Sequence, residues 1–122
     1  MEFLHREVTE QIIGSAFEVY NALGYGFLES VYKNSMKIEL ELRGLKADIE
    51  SEIGVVYKGN LAGFFKADLF VNDCVIVELK IAKEYQPADE AQLSNELKAT
   101  GVKVGLLINF RRTKVEVRRF VF

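Results

Sequence analysis

The chain has 122 residues, 49% of them hydrophobic, and a formal net charge of −2. That is enough for one modest core. It excludes a disordered polyelectrolyte and counts against a protein held on nucleic acid by bulk positive charge. A single histidine and a single cysteine exclude an internal disulfide and a zinc site of the usual kind. Any metal must therefore be held by oxygen atoms, as Mg²⁺, Mn²⁺ and Ca²⁺ are.

No apolar run approaches the roughly 18 residues of a membrane span. The start, Met1-Glu2-Phe3-Leu4-His5-Arg6, lacks the apolar segment of a signal peptide. The lone Cys74 fits a reducing compartment. The expectation is a cytoplasmic protein with no membrane partner, folded as a single domain over residues 1–122.

From about Val8 to Leu23, Ile12, Ile13, Ala16, Phe17, Tyr20 and Leu23 recur at helical spacing, and Gly24 ends the pattern. After Gly24-Tyr25-Gly26 a second helix is expected from about Leu28 to Arg43, with Leu28, Val31, Tyr32, Met36 and Leu40 inward. Ala47 to Tyr57 reads as a strand, Lys58-Gly59-Asn60 as a turn, and Leu61 to Val71 and Val75 to Ile81 as two more strands. A polar loop, Ala82 to Gln86, leads through Pro87 to a third helix, about Ala88 to Thr100. Leu93 and Leu97 face the core there, while Asp89, Gln92 and Glu96 share another face. Val102 to Phe110 is apolar enough for a buried strand, and Lys114 to Phe122 alternates basic and apolar residues, as on a more exposed one. The order ααβββαββ makes this an α/β domain with a mixed sheet flanked by helices. The strand–helix–strand crossover demands at least one parallel pair.

The hairpin Lys66 to Lys80 carries the chemistry. Glu78 and Lys80 stand on a strand that should be buried, where charge is costly unless paired or metal-bound. Residues two apart share a face, so both point the same way as Ile76. A two-residue turn at Asn72-Asp73 would send Asp68 to the opposite face. A three-residue turn, Asn72-Asp73-Cys74, would set Asp68 opposite Glu78 on the same face, because a one-residue slip flips every side chain. In that register two carboxylates about 5 Å apart at Cβ can hold one hard cation. Lys80 beside them can orient or deprotonate a water, or stabilise charge on a phosphate. The plain alternative is a cross-strand ion pair on an exposed edge.

Asp68, followed after nine residues by Glu78-Leu79-Lys80, resembles the PD-(D/E)XK nuclease signature. Gly26, Glu29 and Tyr32 have the spacing of the GxxExxY motif, which names a small family of that superfamily. Further similarity lies in Ile12-Ile13-Gly14, Phe17-Glu18-Val19, Ala91-Gln92-Leu93, Leu97-Lys98-Ala99-Thr100-Gly101 and Val104-Gly105-Leu106-Leu107-Ile108-Asn109-Phe110.

The resemblance implies a restriction-endonuclease-like fold and a nuclease acting on DNA, or on RNA, with Mg²⁺ or Mn²⁺. Asp68, Glu78, the Leu79 backbone carbonyl and Glu29 would be metal ligands. Lys80 would be the catalytic lysine, and Gln92 would correspond to the glutamine of the QxxxY motif, which positions the lysine or the substrate. Glu96 stands where that motif has tyrosine, Tyr25 where the family has proline, and Arg111 where it often has glycine. Glu96 would either bind a second metal or reach solvent.

Each of these residues also has a plainer reading. Glu29 in the first turn of a helix suits the helix dipole whatever its chemistry, and Tyr32 reads as packing. Arg111 and Arg112 fit a nucleic-acid backbone track or a charged edge strand that resists aggregation. A domain this small also fits a non-catalytic binding or regulatory module, or a nuclease completed by a second copy or a partner chain.

Overall fold

A computed structural model describes residues 4–83 and 86–122. Its elements are α1 (Arg6–Leu23), α2 (Glu29–Leu42), β1 (Ala47–Tyr57), β2 (Asn60–Val71), β3 (Val75–Lys80), α3 (Pro87–Thr100), β4 (Val104–Phe110) and β5 (Val115–Val121). The order is the expected ααβββαββ. The strands form one sheet in the order β1-β2-β3-β4-β5. All neighbours are antiparallel except β3 and β4, which run parallel and are joined through α3.

Helices cover both faces. Ile12, Ala16 and Val19 of α1 and Tyr32, Met36 and Leu40 of α2 pack on Leu69, Val71, Val75, Val77, Leu79, Leu106 and Ile108. Leu93 and Leu97 of α3 pack on Ala67, Ile76 and Leu107 from the other side. β4, buried along its whole length, is the centre of both layers. Gly105 lets α3 lie close, since a Cβ there would stand 3.0 Å from a Leu93 methyl and 3.2 Å from one of Leu97.

Two apolar residues expected in the core are not there. Phe17 is 47% exposed and Leu28 is 73% exposed. Leu28 is the residue before the first turn of α2 and has extended backbone, so it leaves the helical stripe that begins at Glu29. Tyr32 holds its expected inward place. It is fully buried and stacks on Phe110 at 4.4 Å between ring centres. Its hydroxyl donates to the Gly24 carbonyl, which ties the α1–α2 connection to the core just ahead of Glu29.

The β2–β3 turn settles the choice of register. Val71 faces Val75, so three residues, Asn72-Asp73-Cys74, lie between the paired positions. Asn72 and Asp73 both have positive φ, and Cys74 N–H donates to the Val71 carbonyl at 3.0 Å. A tight turn with two left-handed residues suits Asn and Asp, and Cys74 is the extra residue that sets the parity. The turn is clamped to the start of β1 by Asn72 N–H on the Lys46 carbonyl, 2.8 Å, and Lys46 N–H on Asn72 Oδ1, 2.8 Å.

A second irregularity lies a few residues back along β2. Ala67 belongs to the core under α3, whereas Leu69, two residues on, belongs to the core under α1 and α2. A regular strand would keep them on one face. On β1, Ile49 and Ile53 divide between the same two cores. The ladder pairs Ile49 with Leu69 and Ser51 with Ala67 but not Glu50 with Asp68, and Glu50 has φ of 50°. The strand pair therefore turns over at Glu50 and Asp68.

Candidate active site

Asp68 sits where regular pairing of β2 with β3 ends. The last ladder pair is Leu69 with Val77, and beyond it side chains replace main chain. The backbone N–H of Leu79 donates to Asp68 Oδ2 at 2.8 Å, and that of Asp68 donates to Glu78 Oε2 at 3.4 Å. The two carboxylates are thus brought to the same opening in the sheet. In a strand, the N–H and C=O of one residue point to the same side, so the Leu79 carbonyl is turned toward β2 as well.

Helices enter this opening from both faces. From α2, Lys33 Nζ lies 3.9 Å from Asp68 Oδ1. Glu29, on the first turn of α2, is close enough to feel Asp68, Lys80, Lys33 and Asp89. From α3, Asp89 lies 3.9 Å from Lys80 Nζ, and Glu96 acts on Glu78. Gln92 is exposed, and its side chain favours the charged form of Glu96. Asp68, Glu78, Lys80, Glu29 and Glu96 therefore form one electrostatic group. Gln92 stands at its border through Glu96.

Negative charge is in excess there. Burial, then the Asp68 carboxylate, then Glu96 push the Glu78 carboxyl up to about 8. Burial and Asp68 also raise Glu29, and burial raises Glu96. Glu96 Oε2 is buried without a hydrogen-bond partner among the described residues. Among these residues no three carboxylate, imidazole or thiolate groups already converge as a metal cage. The donor set nevertheless fits one class of ion. Mg²⁺ keeps most of its waters and needs only one or two carboxylates, and Asp68 and Glu78 are two hard donors that meet at one opening in the sheet.

A model of the PD-(D/E)XK nuclease superfamily matches residues 6–120. The chain belongs to that superfamily. No curated protein matches the sequence. Among solved structures, SSO0001 aligns with a TM-score of 0.58 at 15% identity, over 95% of this chain and 58% of that one. The alkaline exonuclease LHK-Exo from Laribacter hongkongensis aligns at 0.46 and 14%, over 93% of this chain and 81% of that one. At such identities SSO0001 is a likeness of fold, and this chain spans little more than half of its length. The mixed five-stranded sheet with its flanking helices is the restriction-endonuclease-like architecture of the PD-(D/E)XK proteins.

Two features of this PD-(D/E)XK chain escaped sequence reasoning. The left-handed Glu50 carries no signal, because Glu is not a residue that favours positive φ. Asn109 on β4 is 92% buried by its 8% exposure and is the register partner of Lys80. A polar residue inside the otherwise apolar run Val104 to Phe110 was the available sign. Arg111 and Arg112 lie outside the carboxylate group. With Tyr25, Lys83 and Thr113 they line a separate cleft beyond the ends of β3 and β4. The Tyr20 hydroxyl holds the arginine segment to α1 by donating to the carbonyls of Arg111, 2.6 Å, and Arg112, 2.9 Å. Arg111 also pairs with Glu116 at 3.1 Å.

Proposed function

We propose that the chain is a divalent-metal-dependent nuclease of the GxxExxY kind that hydrolyses phosphodiester bonds of DNA. The observation that carries this reading is the meeting of Asp68 and Glu78 where main-chain pairing gives way, with Lys80 on the same strand. Asp68, Glu78 and the Leu79 carbonyl would hold Mg²⁺ or Mn²⁺, with Glu29 and Glu96 as further acidic groups. The bound ion would supply a Lewis acid for the phosphate and a water acidic enough to attack it.

The protein's own groups do the rest. Lys80 orients the attacking water and stabilises the negative charge that grows on the phosphate oxygens. Asp89 keeps the Lys80 side chain toward α3. Gln92 holds Glu96, which favours its charged form. Tyr25, Lys83, Arg111 and Arg112 offer cations for phosphates and an exposed ring for a base, so the strand leaving the site would run along that cleft.

The test is cleavage of plasmid and linear DNA, with an RNA of the same sequence alongside. Cleavage that needs Mn²⁺ or Mg²⁺, stops with chelator and is lost in Lys80→Ala supports the reading. Cleavage that survives in Lys80→Ala overturns it. Mn²⁺ binding with no hydrolysis of any substrate would instead leave a binding module on a nuclease fold.

A further inference from the structure

One unexplained polar group beside the site is the Asn109 amide. Asn109 is 8% exposed, and its Oδ1 has no hydrogen-bond partner among the described residues. Its Nδ2 donates to the Ala82 carbonyl at 3.1 Å. That bond fixes which way the amide points, because a carbonyl can only accept. Oδ1 is left as a buried acceptor awaiting a donor.

Lys80 is the direct lateral neighbour of Asn109 in the parallel β3–β4 pair, so the two side chains stand on the same face. Both line one cavity of about 20 Å³, with Asp89 on its rim. A space of that size takes a single small polar head. The Lys80 ammonium has three N–H donors, and its closest anion among the described residues, Asp89, is 3.9 Å away, beyond hydrogen-bond distance. Arg118 reaches the cavity from β5, but its register partner is Leu107, two residues short of Asn109.

We propose that Asn109 is a positioning residue for Lys80. Its Oδ1 accepts a hydrogen bond from Lys80 Nζ and, with Asp89, seats the ammonium beside Glu78. The Nδ2–Ala82 bond aims the amide for this task and joins it to the segment that follows Lys80. The proposal rests on Lys80 being the working group of the nuclease reading, and its test has an arm that does not need activity.

That arm is acetylation of Lys80 by an N-hydroxysuccinimide ester in the metal-free protein at one fixed pH, followed by peptide mass spectrometry. In Asn109→Leu, Lys80 reacts several-fold faster than in the wild type, while in Asn109→Asp, which keeps an acceptor oxygen, it reacts no faster. Where Asn109→Leu does not fold, Asn109→Ser, too short to reach, replaces it. An unchanged Lys80 rate in a folded Leu or Ser variant overturns the proposal. In the cleavage assay Asn109→Leu loses roughly 10- to 100-fold in kcat at unchanged KM, and Asn109→Asp recovers most of it. If Asn109 served only to cap Ala82, both variants would be equally poor, since both lose the donor. A wild type that cuts nothing defeats the nuclease reading and leaves the labelling result standing.

Discussion

Leu79 N–H and Asp68 Oδ2 form a 2.8 Å hydrogen bond at the point where β2 and β3 cease to pair by main chain. Asp68 thus has a structural task besides any chemical one: it satisfies a donor in a buried strand. The two tasks separate by substitution. Asp68→Asn keeps an acceptor for Leu79 and removes one of two facing charges. Asp68→Ala leaves the N–H unpaired. Urea unfolding of the metal-free proteins is expected to put the alanine variant about 1–3 kcal/mol below the asparagine variant, with both losing Mn²⁺ affinity by calorimetry.

The acidic excess makes stability depend on pH. The Glu78 carboxyl titrates near 8 when folded and near the ordinary carboxylate value of 4.5 when unfolded. Between these values the folded chain binds more protons than the unfolded one, so stability falls as pH rises. Glu29 and Glu96 act in the same direction. The metal-free protein should lose stability steadily from about pH 5 to pH 8. Millimolar Mg²⁺ should flatten the slope, and Glu78→Gln should flatten it without metal. A metal-free stability that rises over this range would contradict the assignment.

Gly105 sets how near α3 lies to the sheet. Gly105→Ala forces the Leu93 and Leu97 methyls to give way at 3.0 and 3.2 Å. The expected cost is about 1–3 kcal/mol. Since Gln92 and Glu96 ride on the same helix, metal affinity should weaken along with the melting temperature.

Tyr32 is a packing residue within the GxxExxY motif. Tyr32→Phe keeps the stack on Phe110 but loses the bond to the Gly24 carbonyl. A loss of about 1 kcal/mol in unfolding free energy is expected. Cleavage should fall only as far as Glu29, three residues ahead on the same helix, is displaced.

Much of this was legible beforehand, because the long elements have strong periods. Helix spacing from Ile12 to Leu23 and the apolar run of β4, interrupted only by Asn109, leave little choice of element. The parity of the β2–β3 turn reduces the site to two alternatives, and the resemblance to the PD-(D/E)XK signature favours the one observed. Other features were out of reach. Apolar spacing gives the direction of a helical face but not its width, so Phe17 looked as inward as Ile12. Leu28 reads as inward only if the helix starts one residue early, and it stands before the first turn. Spacing alone assumes that a strand keeps its faces. The turnover at Asp68 breaks that assumption, and it depends on a left-handed Glu50 on the neighbouring strand. Glu96 could be read toward metal or toward solvent, and its burial beside Glu78 is a matter of how closely α3 approaches over Gly105.

The turnover of the β1–β2 ribbon gives the molecule two cores that exchange faces of β2 part-way along the strand. Phe65 and Ala67 answer to α3, whereas Leu69 and Val71 at the same alternation answer to α1 and α2 and Phe70 takes over on the α3 side. Asp68 is the residue at which the faces change over. A loosening of either core, by a cavity under α3 or one under α2, would therefore reach the carboxylate pair from its own side while the opposite wall stayed in place. The candidate site is the joint of the fold, and its geometry reports on the integrity of both halves at once.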